Sequence, residues 1–85
     1  MTLFHFRIEG GLQRDGEPFE VELENVREAQ MEAVCLLAEL LKAYPERLVE
    51  AGDGWVVVAD EQHLDLFRVD AHTTSAAAVR PVRLA

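Results

Sequence analysis

One amphipathic segment, Asn25 to Tyr44 (NVREAQMEAVCLLAELLKAY), constrains what this chain can fold into. It is the only long run with helical periodicity, so the other regular elements are expected to be strands lying against it. Asn25 occupies an N-cap position, and Glu28 follows three residues later, the capping-box spacing. Asn25 can accept from an orphan backbone N–H, and Glu28 can reach back to the N-cap amide. The charge of Glu28 also suits the positive end of the helix dipole. Pro45 has no N–H and disfavours helical geometry at the residue before it, so the helix should end at Ala43 or Tyr44.

At about 100° per residue, Val26, Ala29, Ala33, Leu37, Leu40, Leu41 and Tyr44 gather on one broad stripe, the face expected against a sheet. Glu28, Glu32, Glu39 and Lys42 lie roughly opposite. Among those charges run Met31, Cys35 and Ala38, at i, i+4 and i+7. Scattered apolar surface is normal on any protein. A second apolar strip on an outer helix face is also what a seam for a second copy or a partner looks like.

The flanking segments alternate as strands do. In Leu3 to Glu9, Phe4, Phe6 and Ile8 face one way and His5, Arg7 and Glu9 the other; Gly10 and Gly11 end the run. Leu12 to Pro18 contains the turn signal Asp15-Gly16 but is too long for a two-residue hairpin. In Phe19 to Glu24, Phe19, Val21 and Leu23 should face the helix. Glu20, Glu22 and Glu24 then form a solvated face, with Arg7 and His5 on the neighbouring strand offsetting the repulsion.

After the helix, Glu46 to Gly54 reads as a connector in which Leu48 and Val49 cap the base of the core and Gly52-Asp53-Gly54 makes a tight turn. That turn leads into a strand, so it does not have the form of a phosphate-binding loop. Trp55 to Asp60 (WVVVAD) is a third strand, apolar on both faces through Val56, Val57 and Val58, which suggests a strand interior to its sheet and covered, at least partly, on both faces. Leu64 to Ala71 is a fourth strand whose alternation slips between Leu66 and Phe67. A β-bulge reconciles the two phases; alternatively, Leu64 and Leu66 sit on the far face beside the valines.

These elements give an α+β fold of two layers in the order β-β-α-β-β, a four-stranded antiparallel sheet with one helix on one face. Residues 1–71 form a single domain. Residues 72–85, with Thr73-Thr74-Ser75 and Pro81, form an extended or poorly ordered tail in which Val79, Val82 and Leu84 remain able to dock on a neighbour.

Little in the chain points to catalysis. The histidines, His5, His63 and His72, fall on a strand, a turn and a strand end, with no pair at metal-ligand spacing, so no metal is expected. Cys35 is the sole cysteine, which rules out an intramolecular disulfide; mid-helix, it is expected to be a small packed side chain. Ser75 lies in the tail, no Gly-rich elbow is present, and no cofactor is implied. An enzyme would require a pocket gathering His5, Arg7, Glu20 and Glu22.

The formal net charge of −8 argues against unaided binding to a phosphate backbone, since Arg80 and Arg83 are the only close basic neighbours. No apolar run approaches the roughly 20 residues that span a bilayer, and the first residues lack a signal-peptide pattern. A cytoplasmic location with no membrane contact is the expectation.

The chain resembles a family of short bacterial proteins known as a domain of unknown function. The matching features are Phe4 and Phe6, Asp15 and Gly16, Glu22 and Leu23, Asn25, the run Ala29-Gln30-Met31-Glu32-Ala33, Trp55 and Val57, Asp60-Glu61, and Leu66-Phe67. Asp15 and Gly16 are adjacent here where the family pattern spaces them, which leaves the register of the first hairpin open. The resemblance implies the β-β-α-β-β order and carries no activity.

The functional expectation is a self-associating protein-interaction module, a homodimer covering Met31, Cys35 and Ala38 on the helix, Val56 and Val58 on the sheet, or both. A domain of this size with two layers leaves apolar surface uncovered by itself. The alternatives are an antitoxin-like or nucleic-acid-associated regulatory module and, more remotely, an enzyme with a His/Glu site.

Overall fold

The computed structural model describes residues 1–13 and 18–74. The Asp15-Gly16 turn and the tail from Ser75 onward, with Val79, Arg80, Val82, Arg83 and Leu84, lie outside the described residues.

The element order is β1 (Thr2–Gly10), β2 (Phe19–Leu23), α1 (Val26–Ala43), α2 (Pro45–Ala51), β3 (Asp53–Ala59) and β4 (Asp65–His72). The four strands form one antiparallel sheet in the order β2-β1-β3-β4. The expected α+β architecture is therefore present, with one long helix packed on the sheet.

Register decides which residues meet the helix. Phe4 lies opposite Val21 and Phe6 opposite Phe19; on the other side Phe6 faces Val58 and Ile8 faces Val56. Val56 and Val58 in turn face Val69 and Phe67. Side chains alternate along a strand, so all of these share one face. Ala29, Ala33, Leu37 and Leu40 of α1 close over it, and Phe4, Phe6, Val56 and Val58 are fully or almost fully buried beneath them. The small Ala29 and Ala33 let the helix approach the aromatic pair. Val26, expected on this stripe, is exposed at the first helical position.

The capping box forms as the spacing indicates. Asn25 Oδ1 accepts from the Glu28 N–H at 2.9 Å, while Glu28 Oε2 accepts from the Glu24 N–H at 2.9 Å, one residue before the expected partner. Such a box contributes about 1 kcal/mol. At the other end the Tyr44 N–H donates to Leu40 O at 2.8 Å.

Two local readings change. The connector after α1 contains a second helix, α2, which Pro45 opens at N1 or N2. A missing N–H costs nothing there, so one proline both stops α1 and starts α2. The left-handed Gly52 (φ 89°) ends α2. Leu48 is half-buried, but Val49 is exposed and caps nothing. Gly54 belongs to β3 rather than to a turn, and Leu12, placed in a loop by its sequence context, is buried where a Cβ on Gly54 would otherwise stand. The phase slip in β4 is a bulge: Val58 faces Phe67 but Ala59 faces Asp65, which leaves Leu66 as the extra residue.

Candidate interaction surface

The outward side of α1 carries the feature that a self-contained domain does not need. Met31 and Val34 are large and more than half exposed, at 58% and 53%, and Cys35 and Ala38 are exposed beside them. Gln30, Met31, Val34 and Cys35 line a shallow apolar depression of about 330 Å³. Three of the expected interface residues, Met31, Cys35 and Ala38, thus stand together on the surface. Sequence spacing misses Val34, although it sits one turn from both Met31 and Ala38 and completes the strip. Cys35, expected to be packed, is a free exposed thiol.

The other two expected interface residues are elsewhere. Val56 and Val58 are 0% exposed, beneath the helix, and form no part of any outer surface. Three consecutive valines leave the phase of a strand undetermined; pairing with Ile8 and Phe6 fixes it. Val57 is the valine on the far face, and it too is buried. Its cross-strand neighbours are Arg7 and Arg68, whose aliphatic stems can cover it while their charged heads stay in water. The central strand β3 is therefore apolar and buried on both faces at Val56, Val57 and Val58, as the valine run suggested, whereas the outer strands stay largely exposed on the far side.

That far face is a connected ionic layer. Arg7 donates through Nη1 and Nη2 to the two carboxylate oxygens of Asp65, each at 2.7 Å, and through Nε to Glu9 Oε2 at 2.7 Å. Glu9 Oε1 accepts from the indole Nε1 of Trp55 at 2.9 Å. The Arg68 guanidinium stacks 4.7 Å from the centre of the Trp55 ring and pairs with Asp70 at 3.0 Å. The hydrogen bonds from Arg7 and then Trp55 hold the Glu9 carboxyl below its ordinary value, and the Arg7 bidentate pair does the same for Asp65. The two carboxylates push the Arg7 guanidinium further towards its charged form.

Arg7 was expected to face the β2 carboxylates, but the β1–β2 pairing ends at Phe6, one residue short of it. His5 keeps the expected role, opposite Glu20 with Nδ1 3.7 Å from Oε1. A contact invisible in the sequence is His5 against His63, with ring centroids 4.2 Å apart. Asp60 creates it by accepting from the Gln62 and Leu64 N–H groups, each at 2.9 Å, within a tight turn that holds His63 at a left-handed φ of 63°. Among the described residues no three His, Cys, Asp or Glu side chains converge as a metal site would require. The arrangement that an enzyme would need, His5 and Arg7 gathered with Glu20 and Glu22, does not form, because both carboxylates of the Arg7 cluster come from β1 and β4. Nor is any helix among the described residues long and apolar enough to cross a membrane.

The profile of a family described as a domain of unknown function, DUF6894, matches residues 3–72, and the chain belongs to that family. No curated protein and no solved structure matches it.

Proposed function

We propose that this DUF6894 chain is a small protein-interaction module of the bacterial cytoplasm that self-associates and has no catalytic activity of its own. The observation that carries this reading is the strip Met31, Val34, Cys35 and Ala38 on the outward side of α1. Large apolar side chains grouped on one face of an otherwise charged helix gain free energy from being covered, about 25 cal/mol for each Å² removed from water. On the sheet, α1 covers Phe4, Phe6, Val56 and Val58 on one side and Val57 is buried on the other, while Phe19, Leu64 and Leu66 remain exposed towards its margins. Assembly through the helix is consistent with the small core, which on a chain of this length leaves a modest margin of stability.

Size-exclusion chromatography with light scattering tests this directly. The wild-type chain is expected to approach twice its 9.5 kDa mass as the concentration rises. Met31→Glu with Ala38→Glu should return it to a monomer while leaving the circular dichroism spectrum unchanged. A wild-type monomer from roughly ten micromolar to one millimolar would remove the proposal.

A further inference from the structure

We propose that the second copy also joins through the outer edge of β4, so that two four-stranded sheets become one continuous sheet of eight strands about a two-fold axis. This deepens the reading above and rests on it, naming the element and the register through which two copies meet.

The edges of the sheet are not equivalent. β2 is five residues long, with Glu20 and Glu22 on either side of Val21. Centring two antiparallel copies on Glu20, Val21 or Glu22 always sets glutamate against glutamate, so this edge resists self-pairing. β4 is eight residues long and alternates in sign, with Arg68 and Asp70 on the far face of the sheet. Among the described residues no strand pairs with its outer side.

Residues directly opposite in an antiparallel ladder either both direct their peptide groups across it or both direct them away, so a symmetric pairing of β4 is centred on a single residue. Centring on Arg68 sets arginine against arginine, and centring on Asp70 sets aspartate against aspartate. Centring on Val69 sets Arg68 opposite Asp70 of the second copy and Asp70 opposite its Arg68. Charge thus selects one register from the three central ones, and that register is self-complementary as a two-fold interface requires. On the helix side it places Val69 against Val69 and Phe67 against Ala71, all half-buried side chains at the margin of the core.

The helices agree with this arrangement. β2 and β3 both run antiparallel to β1, which lies between them, so α1 makes a crossover between parallel strands. Such crossovers are right-handed. On a right-handed path, the flank of α1 that carries Gln30, Val34 and Leu41 is turned towards β4. The core beneath the helix is Phe4, Phe6, Val56 and Val58, with Phe67, Val69 and Ala71 of β4 half-buried at its margin. A second copy joined at β4 therefore stands on the side of α1 that carries the exposed Val34, and the apolar flank and the strand edge face the same neighbour.

Charge exchange at the edge tests the register. Sedimentation velocity would be run on the wild type, Arg68→Asp, Asp70→Arg, and an equimolar mixture of the two variants, each checked for fold by circular dichroism. Either variant alone turns both reciprocal pairs repulsive and should weaken the dimer at least about tenfold. In the mixture one chain presents carboxylates at both positions and the other presents guanidinium groups at both. Each reciprocal pair is then attractive again, so a heterodimer should re-form. Variants that dimerise as tightly as the wild type, or a mixture that stays monomeric, would overturn the edge pairing. If the wild type dimerises and only Met31→Glu with Ala38→Glu abolishes it, association through α1 stands and the edge pairing falls. A wild type that is monomeric throughout removes both. Should either variant fail to fold, hydrogen exchange of the wild type decides: the outward amides of β4 should slow as the protein concentration rises, and unchanged rates would refute the pairing.

Discussion

Arg7 is the residue on which the far face of the sheet depends. It ties β1 to the start of β4 through Asp65 and orients Glu9 to receive the Trp55 indole. Glu9 and Asp65 have folded-state pKa values lowered from ordinary values of 4.5 and 3.8. A lowered folded pKa means that the unfolded chain binds protons first as the pH falls. The stability these carboxylates contribute is therefore present above the ordinary carboxylate range and is lost as the pH drops through and below it. Arg7→Met should lower the urea midpoint at pH 7, and the gap from wild type should shrink as the pH is taken from 5 to 3; a constant gap would show that packing of the Arg7 stem, and not its ion pairs, is what matters. None of this cluster beyond alternation was legible in the sequence. Arg7 and Asp65 are separated by 58 positions, and a pairing over that distance depends on strand order. The same holds for His5 and His63, which only the Asp60 turn brings together.

At the scale of elements, α1 carries the fold. Leu37 and Leu40 are each 6% exposed and lie against the aromatic and valine core. Leu37→Ala should cost about 3 kcal/mol in urea denaturation, as large-to-small substitutions at buried leucines do. Asn25→Ala should cost about 1 kcal/mol through the lost cap. Gly54→Val should destabilise more than Gly52→Ala, because a side chain at Gly54 runs into Leu12, whereas Gly52 is surrounded by open space and opposes substitution only through its left-handed backbone; comparing the two urea midpoints checks the order. The helix and the strands β1 and β2 were legible because each keeps one period long enough to assign a face; β4 was legible as a strand, but its slip in phase left the bulge at Leu66 open. α2 was not legible: seven residues are too few to show a helical period, and its Pro45 reads first as a stop. The direction of the β3 valines was ambiguous for the opposite reason, since a run without alternation has no phase until a neighbouring strand supplies one.

For the whole molecule, the central point is what covers the outward side of α1. Three residues of that surface, Met31, Cys35 and Ala38, could be read from helical spacing alone, whereas the sheet contribution could not, because Val56 and Val58 belong to the core. The far sheet face is lined by the ion pairs of Arg7 and Arg68 and is mostly polar. The uncovered apolar strip runs along the helix flank, and that is where a second copy is expected to bind. Sedimentation equilibrium of the wild-type chain across rising concentration, beside Met31→Glu with Val34→Glu, measures this most directly. The expected result is a wild-type mass that climbs to twice 9.5 kDa while the variant holds at 9.5 kDa. A wild-type mass fixed at 9.5 kDa, or a variant that assembles equally well, would contradict it.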